Sequence, residues 1–431
     1  MTTSGVFPAD SWTCLNSSLG DRGWALNGFL TLDDVDVKSK VTLVRVDLNV
    51  PYDPQTGLIQ ESERVKAHAE TIRELSDKGA RVVVLAHQGR RGDVDFIHLT
   101  QHAKLLSERV GKPVAFVDDV VGEKAAQAIQ RLKDGEILLL DNVRILDDET
   151  VEKSVEEHGE SLIVKALAPL ADLFVNDAFS AAHRSHASIV GFTVKLPSVA
   201  GRVMEQEIKS CERALKPERP NIFVLGGAKP DDCVKIMAHM LERGVLDEAL
   251  TCGLLGQLCL KASGVELGQP SIGLLEKKGF LNLIPTLQSL RGRYGDQVVC
   301  PVDVAEEVDG RRVERTLEEL PCEGLIMDIG GKTVEKYRKS LKRARTIVVK
   351  GPAGVYEKKG FDRGTRLLLE EVKRSKAYTL IGGGDTSVAM SILGFKPEDF
   401  SYVSLAGGAL ITYLSGEDMP GVRALKNAAK R

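Results

Sequence analysis

VTLVRVDLNVPYDPQTGLIQESERVKAHAETIRELSDKGARVVVLAHQG, residues 41–89, carries the pattern that decides the fold. Val41–Asp47 and Arg81–Ala86 are short, mostly apolar runs rich in β-branched residues, as expected of strands covered on both faces. Between them, Val65–Lys78 places Ala67, Ile72 and Leu75 at helical spacing, and Gly79 ends the helix. Strand, helix and strand in that order predict a parallel pair with a crossover helix.

The alternation continues outward. Pro113–Val117, Glu136–Asp141 and Leu173–Asn176 read as further strands, and Gln101–Val110, Glu123–Leu132 and Glu160–Leu170 as helices. A second series comprises Asn221–Leu225, Glu248–Cys252, Gln297–Val302, Gly324–Ile329, Thr346–Val349, Ala377–Ile381 and Tyr402–Leu405. The predicted class is α/β, with two Rossmann-like domains, each a mostly parallel sheet with helices on both faces. A chain of 431 residues exceeds one ordinary hydrophobic core, which agrees with two units. The expected joint is a hinge helix at Val203–Leu215, stopped by Pro217 and Pro220. The first domain is then 29–202 and the second 203–414, while residues 1–28 lack a hydrophobic period and read as an extension.

Composition narrows the function. With 58 basic against 61 acidic residues, the net charge of −3 offers no basic excess for nucleic acid or a membrane surface. No apolar run is long enough to span a bilayer, and the opening residues lack the pattern of a secretory signal. The seven cysteines are scattered without a CxxC pair, which predicts reduced thiols and a cytoplasmic protein. The Asn16-Ser17-Ser18 sequon carries little weight in that setting.

Ligands of open parallel sheets bind at the carboxyl ends of the strands. In the first half those ends carry Asp47 and Asn49, then His87 and Arg90, then Arg144, then His183, Arg184 and His186; Arg64 opens the helix after the first strand's loop. Guanidinium groups offer a fixed fork of donors to phosphate and carboxylate oxygens, so this rim suits a small phosphorylated acid. In the second half the ends are glycine turns: Gly226-Gly227-Ala228-Lys229, Gly351-Pro352-Ala353-Gly354, Gly382-Gly383-Gly384-Asp385-Thr386 and Ala406-Gly407-Gly408-Ala409. Such turns let backbone N–H groups approach phosphate, and Asp385 suits a magnesium ion shared with phosphate oxygens. Gly330-Gly331-Lys332-Thr333 looks like the tail of a P-loop, but the required first glycine falls on Ile326. Two anion sites on two domains suit phosphoryl transfer, which needs positioned reactants and charge neutralisation.

RVDLNVP (45–51), ERVKA (63–67), HQGR (87–90), LLLDNVR (138–144), NDAFSAAHRSHAS (176–188), LGGAK (225–229), GPAGVYE (351–357), GGGDT (382–386) and SLAGGA (404–409) occur in order. Together they resemble phosphoglycerate kinase, archaeal branch, from about residue 30 onward. The resemblance implies a hinge-bending kinase that exchanges a phosphoryl group between Mg·ATP and 3-phosphoglycerate, giving 1,3-bisphosphoglycerate and Mg·ADP. It implies that Asp47, Asn49, His87, Arg90, Arg144 and Arg184 grip the acid. Arg64 and Lys229 would meet the transferring group from the acid and nucleotide sides. Gly226, Gly227, Gly351, Pro352, Gly383, Gly384, Gly407 and Gly408 would cradle the nucleotide. Glu357 would bind its ribose, and Asp385 and Thr386 its metal and phosphates. The last helix, within 415–431, would pack on the first domain. Partners would be small molecules only, with no nucleic acid or membrane, the chain acting as a monomer or small homo-oligomer.

The departures lie mostly on the nucleotide side. Lys350 stands where many members have asparagine, Leu405 and Ala406 stand where threonine and glycine are usual, and Cys233 replaces a basic residue. Arg91 stands where the HLGRP-type loop has proline. An added methyl at Ala406 would crowd phosphate, while Lys350 would supply compensating charge. The alternatives are a related kinase with another donor or acid, or a ligand-binding pseudokinase.

Overall fold

The computed structural model describes residues 28–431 and divides into two compact units. The extension, with Cys14 and the sequon, lies outside the described residues except for Gly28.

Unit 1 runs to Lys209 and includes Asp418–Arg431. Its sheet contains β1 (Val41–Arg45), β2 (Arg81–Leu85), β3 (Val114–Phe116), β4 (Ile137–Leu139), β5 (Leu173–Asn176) and β6 (Ser198–Ala200), in the order β3-β4-β2-β1-β5-β6. All pairs are parallel, with Val41 opposite Arg81 and Thr42 opposite Leu173. Alternation along β2 serves both faces. Val82 and Val84 pack with α1 (Glu63–Asp77) and α2 (Thr100–Val110), while Val83 and Leu85 pack with α3 (Glu123–Arg131) and α4 (Leu162–Leu167). Gly79, at φ +80°, follows the end of α1, where a left-handed residue closes a helix. The C-terminal helix Pro420–Ala428 packs within this unit, with Gly421 against Ala182 and Ile189.

α5 (Arg202–Leu215) carries the chain across the division, which falls at Lys209 and Ser210. Its first turn is held by Asp177, whose Oδ1 accepts from Val203 N at 2.8 Å while its Oδ2 lies 2.7 Å from His68 Nδ1.

Unit 2 spans Ser210–Glu417. Its strands are β7 (Asn221–Leu225), β8 (Glu248–Thr251), β9 (Val298–Val299), β10 (Asp303–Val308), β11 (Arg311–Thr316), β12 (Leu325–Ile329), β13 (Thr346–Lys350), β14 (Tyr378–Gly382) and β15 (Tyr402–Val403). The main sheet is parallel, in the order β9-β8-β7-β13-β14-β15. Its helices include α6 (Pro230–Glu242), α7 (Gly253–Ala262), α8 (Gly331–Arg343), α9 (Arg363–Arg374), α10 (Gly384–Ile392) and α11 (Gly407–Leu414).

One expectation is corrected here. Gly324–Ile329 does not extend the parallel series; its core, β12, pairs antiparallel with β10 in a separate sheet, β11-β10-β12. The β10–β11 hairpin turns at Asp309-Gly310, both with positive φ (49° and 74°), as a two-residue turn requires. Among the described residues no helix is long and apolar enough to cross a membrane.

Candidate active site

In unit 1 the strands that end in charged loops are neighbours, β4-β2-β1-β5, so their loops share one edge. Arg90, Arg91, Arg144, Arg184 and His186 line one pocket of about 480 Å³ there, with Asp147, Thr150 and Glu152 on its rim. Arg144 is steadied by donating to the Gly89 carbonyl, and Arg91 pairs with Asp147. Arg90 is exposed and Arg184 half-buried.

A second cluster sits on the β1 and β2 ends. Arg64 Nη1 lies 3.1 Å from Asp47 Oδ2 and 3.4 Å from the Asn49 carbonyl, while Ser180 donates to the same Asp47 oxygen. Asn49 Oδ1 accepts from Gly89 N at 2.8 Å, tying the two loops together. Burial works against the Asp47 carboxylate, but Arg64, His87 and the Ser180 hydroxyl outweigh it and hold the group below the usual carboxylate range.

The histidines read the local field. Burial drives His87 well below the ordinary imidazole value; Arg45 and Arg144 add to this while Asp47 opposes it. His186 is pushed down to about 3 by burial and by Arg144, Arg184 and Arg45. Arg144 itself falls to about 10 through burial and its arginine neighbours. Cations crowded to this degree favour an anion between them. His183 is also held low, by burial and then Arg184, but it does not line the pocket.

Sequence reasoning missed what supports His87. Arg45, fully buried on β1, has Nη2 at 3.1 Å from His87 Nδ1 and Nε at 2.7 Å from Ser188 Oγ. Ser188 in turn donates to Glu149 Oε1 at 2.6 Å, so a buried carboxylate faces the buried guanidinium. The available signal was an arginine inside an otherwise apolar strand, since a buried charge needs a partner.

In unit 2 the glycine turns also end neighbouring strands, β7-β13-β14-β15. Gly226 N donates to the Lys350 carbonyl and Gly227 N to the Pro352 carbonyl, each at 2.8 Å. Gly351 has φ +86°, and a Cβ there would lie 2.2 Å from Gly226 O, so only glycine fits. A cavity of about 330 Å³ is lined in part by Gly227, Pro352, Gly354, Glu357 and Asp385. Its apolar lining includes Leu254, Leu274, Ile326 and Val355, partly from the antiparallel sheet. That sheet went unread because β11 looks like a solvated charged run.

Asp328, which lines this cavity, is pushed up to about 6 by burial despite Arg312 Nη1 at 2.7 Å. Lys229 and Asp385 are exposed, at the starts of α6 and α10. Gly383 caps the start of α10, Gly384 begins it, and Gly407 and Gly408 begin α11; none of the four lines the cavity.

Three expectations change. Thr386 is buried, its hydroxyl accepting from Gly351 N and donating to the Gly382 carbonyl at 2.8 Å each, so it braces two turns and leaves no free hydroxyl for phosphate. Lys350 is buried with Nζ 3.2 Å from the Lys229 carbonyl and 3.4 Å from Asp232 Oδ2; its charge serves that carboxylate and does not extend the site. Ala406 is buried, so its methyl does not stand on the exposed turn. The P-loop-like tail is occupied internally: Lys332 N and Thr333 N donate to Asp303 at 2.8 and 2.7 Å.

Magnesium commonly takes one or two carboxylates and completes its shell with phosphate oxygens and water. The exposed Asp385 carboxylate, beside glycine turns, fits that donor set. Among the described residues no group of three or more His, Cys, Asp or Glu is arranged to hold a metal unaided.

The model of the phosphoglycerate kinase family matches residues 32–417. The phosphoglycerate kinase of Methanothermobacter thermautotrophicus is 44% identical over 401 residues, covering 93% of this chain and 97% of that protein. That of Methanococcus maripaludis is 42% identical, covering 94% and 99%. The crystal structure of phosphoglycerate kinase from Pyrococcus horikoshii aligns with a TM-score of 0.85 at 36% identity, covering 93% of this chain and 99% of that one. The structure of phosphoglycerate kinase from Coxiella burnetii aligns with a TM-score of 0.80 at 29% identity, covering 93% and 100%.

Proposed function

The chain belongs to the phosphoglycerate kinase family and is a phosphotransferase acting between ATP and the carboxylate of 3-phosphoglycerate; we propose that the arginine pocket of unit 1 receives the acid and the glycine turns of unit 2 the nucleotide. The carrying observation is the convergence of Arg90, Arg91, Arg144 and Arg184 on one pocket. In that reading Arg90, Arg144 and Arg184 bind the phosphate of 3-phosphoglycerate, since forked donors match its oxygens. Asp47, Asn49 and His87 orient the acid's polar end. Arg64, already charge-paired with Asp47, meets the migrating phosphoryl group, and Lys229 meets it from the nucleotide side.

On the other unit, Gly226, Gly227 and Gly351, whose N–H groups bind within the turns, let the nucleotide phosphates approach the backbone closely, Gly383, Gly384, Gly407 and Gly408 present their N–H groups to those phosphates, and Pro352 shapes the turn. Glu357, on the cavity wall, accepts from ribose hydroxyls. Lys350 and Thr386 act by holding these turns together. Asp385 holds magnesium, which when bound with ATP neutralises charge on its phosphates. A cytoplasmic setting, in which the thiols stay reduced, and a monomer or small homo-oligomer complete the reading.

The engaged Lys350 and the buried Ala406 support retained turnover over the pseudokinase alternative, because neither obstructs the turns. The test is ADP release by the purified protein with Mg·ATP and 3-phosphoglycerate, beside Arg144→Ala. Turnover lost in the variant through a raised KM for the acid is expected. ADP release no greater than the variant's would refute the assignment.

A further inference from the structure

A cleft of about 580 Å³ in unit 2 has no part in the reaction described above. Cys300, just after β9, lines it together with Ser263, Arg291 and Lys336. Behind it lies Cys259 on α7, fully buried, its thiol near enough to that of Cys300 for each to perturb the other. The backbone brings them together: a Cβ added at Gly256 on α7 would meet Pro301 Cγ at 3.1 Å. Arg291 Nη1 donates to the Cys259 carbonyl at 3.2 Å and Lys336 Nζ to the Cys300 carbonyl at 3.4 Å, so two cations flank the pair. Arg291 forms no ion pair among the described residues, and its Nε is buried without a hydrogen-bond partner there, so its field remains available to a thiolate.

We propose that Cys300 is a thiol modification site, reacting with hydrogen peroxide from the cleft and then closing a disulfide with Cys259. The Cys300 thiolate attacks one peroxide oxygen. The S–O bond forms, the O–O bond breaks, and the departing hydroxide takes a proton to leave as water. The Cys259 sulfur next attacks the Cys300 sulfenic acid. The S–S bond forms, the S–O bond breaks, and the Cys259 proton leaves with the hydroxide as a second water. Two thiols are oxidised and one peroxide is reduced to two waters.

The electrostatics agree with those roles. The neighbouring Cys259 thiol, aided by Arg291, Ser263 and Lys336, outweighs burial and brings Cys300 down to about 7, which favours the thiolate. Cys259 is held well above the ordinary thiol value by the Cys300 thiol and by burial, and stays protonated until it attacks. Burial pushes Cys233 up to about 11, Cys322 up to about 12, and Cys252 well above its ordinary value, which leaves those thiols inert. A transient disulfide of this kind fits a reducing compartment. Its closure ties α7, which also carries Leu254 and Gln257 on the apolar cavity, to the end of β9.

The test treats the reduced, full-length protein with one equivalent of hydrogen peroxide at pH 7, followed by thiol counting and peptide mapping. The expected result is loss of two thiols, a Cys259–Cys300 cross-linked peptide, and recovery with dithiothreitol. In Cys259→Ser the oxidation stops at a dimedone-reactive sulfenic acid on Cys300, and in Cys300→Ser neither product forms. The map of the unsubstituted protein decides the matter even if a variant fails to fold. Cys300 recovered as free thiol after peroxide, or a cross-link joining any other pair, overturns the proposal.

Discussion

Arg64 is half-buried, with its guanidinium against the carboxylate of Asp47, so its removal strips a cation from a buried acid and, in the proposed reading, from the substrate. Arg64→Ala is expected to lower kcat by about 10³-fold or more, as loss of a charge-stabilising arginine does in phosphoryl transfer, while far-UV circular dichroism stays unchanged. Arg64→Lys should recover only part, because an ammonium lacks the planar fork. His186, held to about 3, and His102, held to about 4 by burial, supply a second measurement. Both regain ordinary imidazole affinity, near about 6.5, on unfolding. Between that value and their folded values the unfolded chain binds more protons, so their contribution lowers stability as pH falls below about 6.5 and is absent above it. Asp328, held up to about 6, acts in the opposite direction below that pH. The comparison that isolates the histidine is therefore His186→Gln. Urea unfolding from pH 7 to pH 5 should lose less stability in the variant than in the parent; equal slopes would contradict the assignment.

Among the elements, the paired turns after β7 and β13 are the most constrained. Gly351→Ala puts a methyl 2.2 Å from Gly226 O in a left-handed conformation, and is expected to cost about 2 kcal/mol or more. It should raise KM for ATP much more than KM for 3-phosphoglycerate; an equal rise in both would place these turns outside the nucleotide site. The turns were legible in the sequence because a glycine pair after an apolar strand has a direct backbone meaning. The strands were legible too, as with Asn221–Leu225, because burial on both faces leaves an unbroken apolar run. β11 was not. Its RRVERT sequence follows neither an apolar run nor a clean alternation, and only the Asp309-Gly310 turn marked the hairpin. Lys350 misled for another reason. Its place after a strand suggested a ligand contact, whereas its partner Asp232 is 118 residues away along the chain.

On the scale of the whole molecule, the described part of unit 1 is built from two distant parts of the chain, residues 28–209 and Asp418–Arg431. Gly421 sits so near Ala182 that a Cβ would lie 2.9 Å from its Cβ. Gly421→Leu should therefore loosen unit 1, and hydrogen exchange should rise in β5 and β6 while β7 and β13 keep their protection. A uniform rise across both units would contradict that division. The reaction itself is a single event, the arrival of the γ-phosphoryl group of ATP on a carboxylate. That event is measured by incubating the protein with γ-³²P-labelled ATP, magnesium and 3-phosphoglycerate, and trapping acyl phosphate with hydroxylamine. Hydroxylamine-labile label with 3-phosphoglycerate, and none with glycerol 3-phosphate, which lacks the carboxylate, is the expected result. If calorimetry finds both ligands bound and yet no labile label forms above the protein-free control, the molecule binds these ligands without transferring phosphate, and the kinase reading is wrong.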